Sequence, residues 1–354
     1  MRCRSAFLYS DKYILYDFGP KHPFKPYRWR LTLNILKKLE AFNKDNVDLI
    51  EVEDFDENIL RLVHDSKYIE FVKNMCKRGY GYLDYGDTPA RRGVFEGALA
   101  RVWGSVKAVE LLAKGEYNHV FNFGGGLHHA GPNYASGFCV FNDIAIAIRY
   151  LQKKYKYRRI AVMDIDGHHG DGTQKIFYRE KILTISIHRY DGFFFPGTGN
   201  WDEIGEDEGE GYSINIPLPM GVGDDLYIRI FADTIFPILK KYLPQVIVMQ
   251  FGVDGYIGDP LVGLRLTSNT YKYIACKIHD LAHELCDGKV LITGGGGYLP
   301  EITARIWALI FLIFSGSDES AIDIKDNFTY TDIDVKSRIL KILDNLRIKI
   351  LSLL

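Results

Sequence analysis

Short apolar runs of strand length, each closed by acidic residues, glycine or a polar cluster, set the strongest constraint on how this chain can fold. RIAVMDI at 159–165 is one, and ILTISIH at 182–188, VIVMQF at 246–251 and KVLIT at 289–293 repeat the form. A further β-rich run covers 119–123. Strands without polar alternation are buried on both faces. Segments with helical spacing separate most of them, notably 94–114, 224–242 and 267–285. Asn142 is placed to cap another helix reaching about Tyr155. The pattern predicts an α/β fold, a single domain with a mainly parallel sheet flanked by helices. Ligands of such sheets bind beyond the carboxyl ends of the strands. Polar or glycine-rich clusters follow at least four of these runs.

Composition narrows the partners. Lysine plus arginine total 44 against 45 acidic residues, a formal charge of −1, so no global field draws in nucleic acid or an anionic membrane. Neither is expected as a partner. Five scattered cysteines, with no CxxC pair, argue against a disulfide framework and against a thiolate zinc site. The N-terminus turns polar before a signal-like apolar run develops, and the longest apolar run, 306–314, is too short to span a bilayer. These features point to a soluble cytoplasmic protein. Residues 317–331 are acidic and polar and read as a loop. The final stretch, from Val335, carries an apolar stripe among basic residues, an amphipathic helix expected to pack on the body or on a sister subunit.

Five of the ten histidines fall between residues 128 and 188. Their centre is VMDIDGHHGDG at 162–172. In extended backbone Asp164, Asp166 and His168 share a face, and a carboxylate beside an imidazole starts a divalent-metal site. A polar strand end capping a helix is the competing reading of any single acid there. In GGGLHHAGPNYASGFC at 124–139, adjacent His128 and His129 each need a partner to fix the tautomer, and Asp164 and Asp171 are available. Asp254, in QFGVDGYIGDP, follows a buried strand; by itself it reads as a turn aspartate. Tyr298 follows the glycines at 294–297. His279 and His283 lie four apart on a helix, but with no third ligand evident they read as an ordinary helix face. Cys139 reads as a packed thiol. No phosphate-binding loop, dinucleotide fingerprint, nucleophile elbow or HExxH is present.

The ordered set GGxHH, ASGFC, DxDxHHGDG, FFPGTG, QxGxDxxxGDP and GGGGY closely resembles the histone deacetylase family of the arginase–deacetylase superfamily. Its class I-like branch, prokaryotic relatives and acetoin-utilisation proteins are nearest. The resemblance runs from about His22 to Gly316, so residues 1–316 read as the deacetylase catalytic domain and 317–354 as a loop and helix packed on it. It implies one α/β domain around an eight-stranded parallel sheet. It implies Asp166, His168 and Asp254 as Zn²⁺ ligands, His128 oriented by Asp164, and His129 oriented by Asp171. Tyr298 would stand beside the metal. Phe138 and Phe195 would wall a lysine tunnel, the Gly137 carbonyl would accept the substrate amide N–H, and Asp87 would hold the substrate backbone at the rim. Ser186, Ile187, Asp164, Asp166 and His168 fit the family's structural K⁺ site. Arg28, in KPYRWR, resembles a position beneath the tunnel.

The residue chemistry is compatible with amide hydrolysis: a metal held by three protein ligands keeps positions open for water and substrate. His129 can take and return a proton, and a tyrosine hydroxyl can donate to a developing oxyanion. The function expected is Zn²⁺-dependent hydrolysis of Nε-acetyl-lysine, or a short acyl-lysine, in an acetylated protein or peptide, with homo-oligomerisation left open. An acetylpolyamine or other small amide is the alternative substrate. Leu261, where polyamine-selective relatives tend to carry an acid, favours a neutral or peptide substrate. A non-catalytic binding protein is a third reading. Two carboxylates and one imidazole also suit Fe²⁺ in a reducing cell.

Overall fold

The apolar runs assemble into one sheet in the computed structural model, which describes residues 3–53 and 55–354. Its strands are β1 (Ser5–Tyr9), β2 (Val47–Glu51), β3 (His119–Asn122), β4 (Ile160–Asp164), β5 (Leu183–Arg189), β6 (Ser213–Leu218), β7 (Val246–Gln250) and β8 (Val290–Thr293). The eight lie in the order β2-β1-β3-β8-β7-β4-β5-β6, and every pairing is parallel. The sheet is thus wholly, not mainly, parallel. All residues of β3, β4, β7 and β8 are buried, and each large aliphatic side chain so buried contributes roughly 1.5–3 kcal/mol.

The helices are α1 (Arg28–Lys38), α2 (Ser66–Arg78), α3 (Val94–Ala113), α4 (Asp143–Tyr150), α5 (Asp171–Phe177), α6 (Asp224–Ile230), α7 (Phe236–Tyr242), α8 (Ser268–Cys286), α9 (Pro300–Phe314) and α10 (Ile333–Leu353). Asn142 caps α4, its side chain accepting from the Ala145 N–H at 2.9 Å. A π turn at Phe231–Ile235 joins α6 to α7, so the helical stretch expected over 224–242 is continuous with one wide turn. Trp307 of α9 is fully buried and stacks on Phe123 at 4.9 Å, and its indole N–H donates to the Phe251 carbonyl at 2.9 Å. One side chain therefore ties α9 to the segments leaving β3 and β7.

Strands β1, β2 and β6 were not among the sequence-read runs. In β6, Ser213 and Asn215 turn inward to the Gln174 side chain, which masks the apolar signature. Pro217 is tolerated because β6 is an edge strand. Segment 317–331 is mostly loop, and its end is tied down by the buried Asp224, which accepts from both the N–H and the hydroxyl of Thr329. Helix α10 buries Ile339, Leu343, Leu346 and Ile350 in the same core as α7. Among the described residues, no helix is long and apolar enough to cross a membrane.

Candidate active site

Because all strands run the same way, the segments leaving β3, β4, β7 and β8 emerge side by side at one edge of the sheet. His128 and His129 lie beyond β3, Asp166 and His168 beyond β4, Asp254 beyond β7, and Tyr298 beyond β8.

Asp166, His168 and Asp254 are all buried, and one donor atom from each lies within 4.8 Å of the others. His168 Nδ1 is 3.1 Å from Asp166 Oδ1 and 2.8 Å from Asp254 Oδ2. Each carboxylate has its other oxygen occupied. Asp166 Oδ2 accepts from Gln250 Nε2 at 2.9 Å and from the Gly296 N–H at 2.6 Å. Asp254 Oδ1 accepts from the Gly167 N–H at 2.6 Å. Asp166 Oδ1, which also accepts from the His168 backbone N–H at 3.1 Å, Asp254 Oδ2 and His168 Nδ1 therefore converge. Burial and the nearby Asp166 push Asp254 up to about 7, so a second negative charge is poorly tolerated there unless a cation joins it. Two carboxylates and an imidazole suit a borderline or hard divalent cation with open positions, and the donor set is consistent with a zinc site.

Glycines let backbone reach these carboxylates. A Cβ on Gly296 would lie 2.1 Å from Asp254 Oδ2, and one on Gly252 would lie 2.3 Å from Asp166 Oδ2. Gln250 opens the QxGxDxxxGDP run but has no role assigned from sequence, because its bond to Asp166 joins residues 84 apart. Its loss in Gln250→Ala is expected to weaken divalent-cation affinity about 10–100-fold through the freed Asp166 oxygen. Competition against a chromophoric chelator measures this.

Beside the trio stand two histidine–carboxylate pairs. His128 Nδ1 is 2.6 Å from Asp164 Oδ2, and His129 Nδ1 is 2.6 Å from Asp171 Oδ1. The two rings lie 4.0 Å apart, yet their environments separate them. Burial opposes charge on His128, but Asp164 and Asp166 outweigh it and raise the imidazole to about 9. Burial and the neighbouring His128 lower His129 to about 4. At neutral pH one ring is thus a cation and the other a neutral base. The turn carrying them is held by Asp143, whose buried carboxylate accepts from the N–H groups of Gly126 and Leu127. No sequence signal singles out Asp143.

Aromatic rings wall the approach. Phe195 lies 5.0 Å from His129 and 6.2 Å from His168, Phe194 stacks on His168 at 5.0 Å, and Phe138 lies 6.1 Å from Tyr298. Gly137 (φ +52°) touches this wall, since a Cβ there would lie 2.5 Å from His129 Cδ2 and 2.8 Å from Phe195 Cε1. The Tyr298 ring is 6.5 Å from His168. Burial, with Asp254 and Asp166, raises its hydroxyl well above the usual range and keeps it a donor. Its N–H donates to Asp259 Oδ2 at 2.8 Å, while Asp259 Oδ1 accepts from the Leu261 N–H at 3.0 Å, so one carboxylate links Tyr298 to the partly exposed Leu261. Arg28 Nη1 donates to the Gly297 carbonyl at 2.8 Å and supports the turn from below. Asp87 is exposed in a groove of about 630 Å³ that also includes His22 and Phe138. Ser186 pairs with Asp164 across β5 and β4, its hydroxyl 2.9 Å from His188 Nδ1, and Ile187 is the next, buried residue.

Comparison with known proteins agrees with this arrangement. The family described as histone deacetylase domain matches residues 22–314. The chain is 40% identical over 323 residues to the acetoin utilization protein AcuC of Bacillus subtilis, covering 89% of this chain and 83% of that protein. It is 35% identical over 321 residues to AcuC of Staphylococcus aureus strain COL, covering 87% and 81%. Among solved structures, the HDA15 HD domain superposes with a TM-score of 0.84 at 28% identity, over 99% of this chain and 98% of that one.

Proposed function

This chain belongs to the histone deacetylase domain family, and we propose that it is a metal-dependent hydrolase of Nε-acetyl-lysine, or a related short acyl-lysine, in proteins or peptides. The observation that carries this reading is the meeting of Asp166, His168 and Asp254 beside two separately tuned histidine–aspartate pairs.

In this reading Asp166, His168 and Asp254 hold Zn²⁺, with Fe²⁺ as the alternative, and Asp164, Asp166, His168, Ser186 and Ile187 surround a structural K⁺. When bound, the catalytic cation supplies positive charge to the acyl oxygen and acidifies water. His129, kept neutral and held by Asp171, accepts the proton of the attacking water at Nε2. The water oxygen bonds to the acyl carbon, the C–N bond breaks, and His129 returns the proton to the lysine nitrogen, leaving acetate and a free amine. His128, held by Asp164, would act as an electrostatic partner to the charge that develops nearby. The Tyr298 hydroxyl donates to the oxyanion, a contact of a kind typically worth about 3–4 kcal/mol of barrier. Phe138 and Phe195 flank a four-carbon stem whose charge acetylation has removed, the Gly137 carbonyl accepts the amide N–H, and Asp87 accepts substrate backbone N–H groups at the rim.

An acetylated polyamine or other small amide is the second reading. The neutral, partly exposed Leu261, tied through Asp259 to Tyr298, favours the peptide. A panel of acyl-lysine peptides and acetylspermidine, assayed with and without chelator, separates them. Chelator-sensitive acetate release with higher kcat/KM on a peptide is expected. Preference for acetylspermidine would reverse the substrate assignment, and release from none would remove the hydrolase reading in favour of a binding protein.

A further inference from the structure

We propose a second, structural Zn²⁺ site at the opposite edge of the sheet, formed by Cys3, His119 and His283 with His279 beside them. Cys3 precedes β1, His119 opens β3, and His279 and His283 sit one turn apart on α8. The sequence places these residues far apart, which is why the helix pair shows no third ligand when read alone. Parallel pairing of β1 with β3, and the docking of α8 under the sheet, brings them together.

One donor atom from each of Cys3, His119 and His283 lies within 4.8 Å of the others. Cys3 Sγ lies 3.5 Å from His119 Nδ1, 3.8 Å from its Nε2 and 3.7 Å from His283 Nε2, so a turn of the His119 ring is what aims Nε2 at a shared cation. With Zn–S near 2.3 Å and Zn–N near 2.0–2.1 Å, tetrahedral ligands stand about 3.6 Å apart. The His279 ring packs beside them, 5.0 Å from His119 and 4.7 Å from His283, but is outside the group of converging donors.

The tautomer of His119 is also set. Its Nδ1 lies 2.9 Å from the Phe314 carbonyl, which only an N–H can satisfy, so in the neutral ring the Nε2 lone pair is free. A backbone carbonyl behind a ligating imidazole is the usual outer support of a metal-bound histidine. Without a cation, two imidazole nitrogens converge on one thiol, which has a single proton to share between them. A divalent cation would engage all three donors at once. A cavity of about 460 Å³, bordered by Cys3, His279 and Phe314, gives access from solvent. The ion would pin the N-terminal strand to β3 and α8. None of this depends on the catalytic assignment, which concerns the other end of the strands.

Cobalt tests the site, because only a thiolate ligand gives a strong sulfur-to-Co²⁺ charge-transfer band in the near ultraviolet and the catalytic trio contains no sulfur. The full chain loaded with Co²⁺ is expected to show that band, and Asp254→Asn is expected to keep it. Cys3→Ser and His283→Gln should lose it, and each should bind about one equivalent less metal while hydrolytic activity is retained. His283 is exposed on α8, so its variant tests the site without disturbing the core. Absence of the band from the unaltered chain, or its survival in Cys3→Ser, would overturn the proposal.

Discussion

Asp254→Asn is expected to abolish binding of the catalytic metal and, with it, all metal-dependent amide hydrolysis, while leaving the protein folded. Asp254 is wholly buried, and its Oδ2 lies 2.8 Å from His168 Nδ1, which is itself 3.1 Å from Asp166 Oδ1. An amide of nearly the same shape removes the charge and supplies at best a neutral oxygen, so one of three anchoring donors is lost. The fold should survive because burial and Asp166 already disfavour charge on this carboxyl. Replacing a strained buried charge by a neutral isostere is often neutral or stabilising. Two measurements check this. Metal analysis should show loss of about one equivalent, the proposed site at Cys3 being retained. Thermal unfolding should show that excess zinc raises the midpoint of the variant less than that of the unaltered chain, since one site that stabilises only the folded state is gone. Full activity in Asp254→Asn would mean that the trio is not the catalytic metal site.

His129→Ala is the second large effect. Removing a positioned general base typically costs about 10²–10⁴-fold in rate, and the loss should fall on kcat, with KM and metal content nearly unchanged. His129 lies against Phe195 but is outside the ligand trio, so truncation should spare both substrate wall and cation. Asp171→Asn probes the same proton from behind. The carboxylate holds the proton on Nδ1 and leaves Nε2 as acceptor. An asparagine that turns its amide N–H toward Nδ1 drives the proton to Nε2 and disables the base, so a fall in kcat of similar sense is expected. His128→Ala should lower kcat less than His129→Ala, because its role is charge, not proton acceptance. A larger loss at His128 would reverse the two assignments.

The legible parts of the fold were those with dense local signals. Strands β4, β5, β7 and β8 announce themselves because burial on both faces demands unbroken apolar side chains, and the Asn142 cap marks α4 by its own chemistry. The two edge strands were harder. β2 is only partly buried, and β6 interleaves Ser213 and Asn215, whose polarity is answered by Gln174 from a different element. Neither strand stands out without its partner.

The site divides in the same way. Clusters such as DIDGHHGDG and the glycine-flanked His128–His129 pair exhibit their chemistry within a dozen residues. Gln250, Asp143 and Asp259 do not, because each acts by occupying a hydrogen-bonding atom of a group distant in the chain.

By itself, then, the amino-acid order determined that apolar strands would alternate with helices, that the sheet would be mainly parallel, and that its polar strand ends would carry carboxylates and imidazoles. Local spacing left open which of those groups meet: the motif resemblance implied the Asp166–His168–Asp254 set, and the approach of Cys3 to His283 came from tertiary structure alone. Asp254 reaches His168 across 86 positions, and Cys3 reaches His283 across 280. The reason is geometric: parallel crossovers return every strand to the same edge, but an approach of 3 to 4 Å between donor atoms is set by strand order and close packing around them, neither of which any local spacing records.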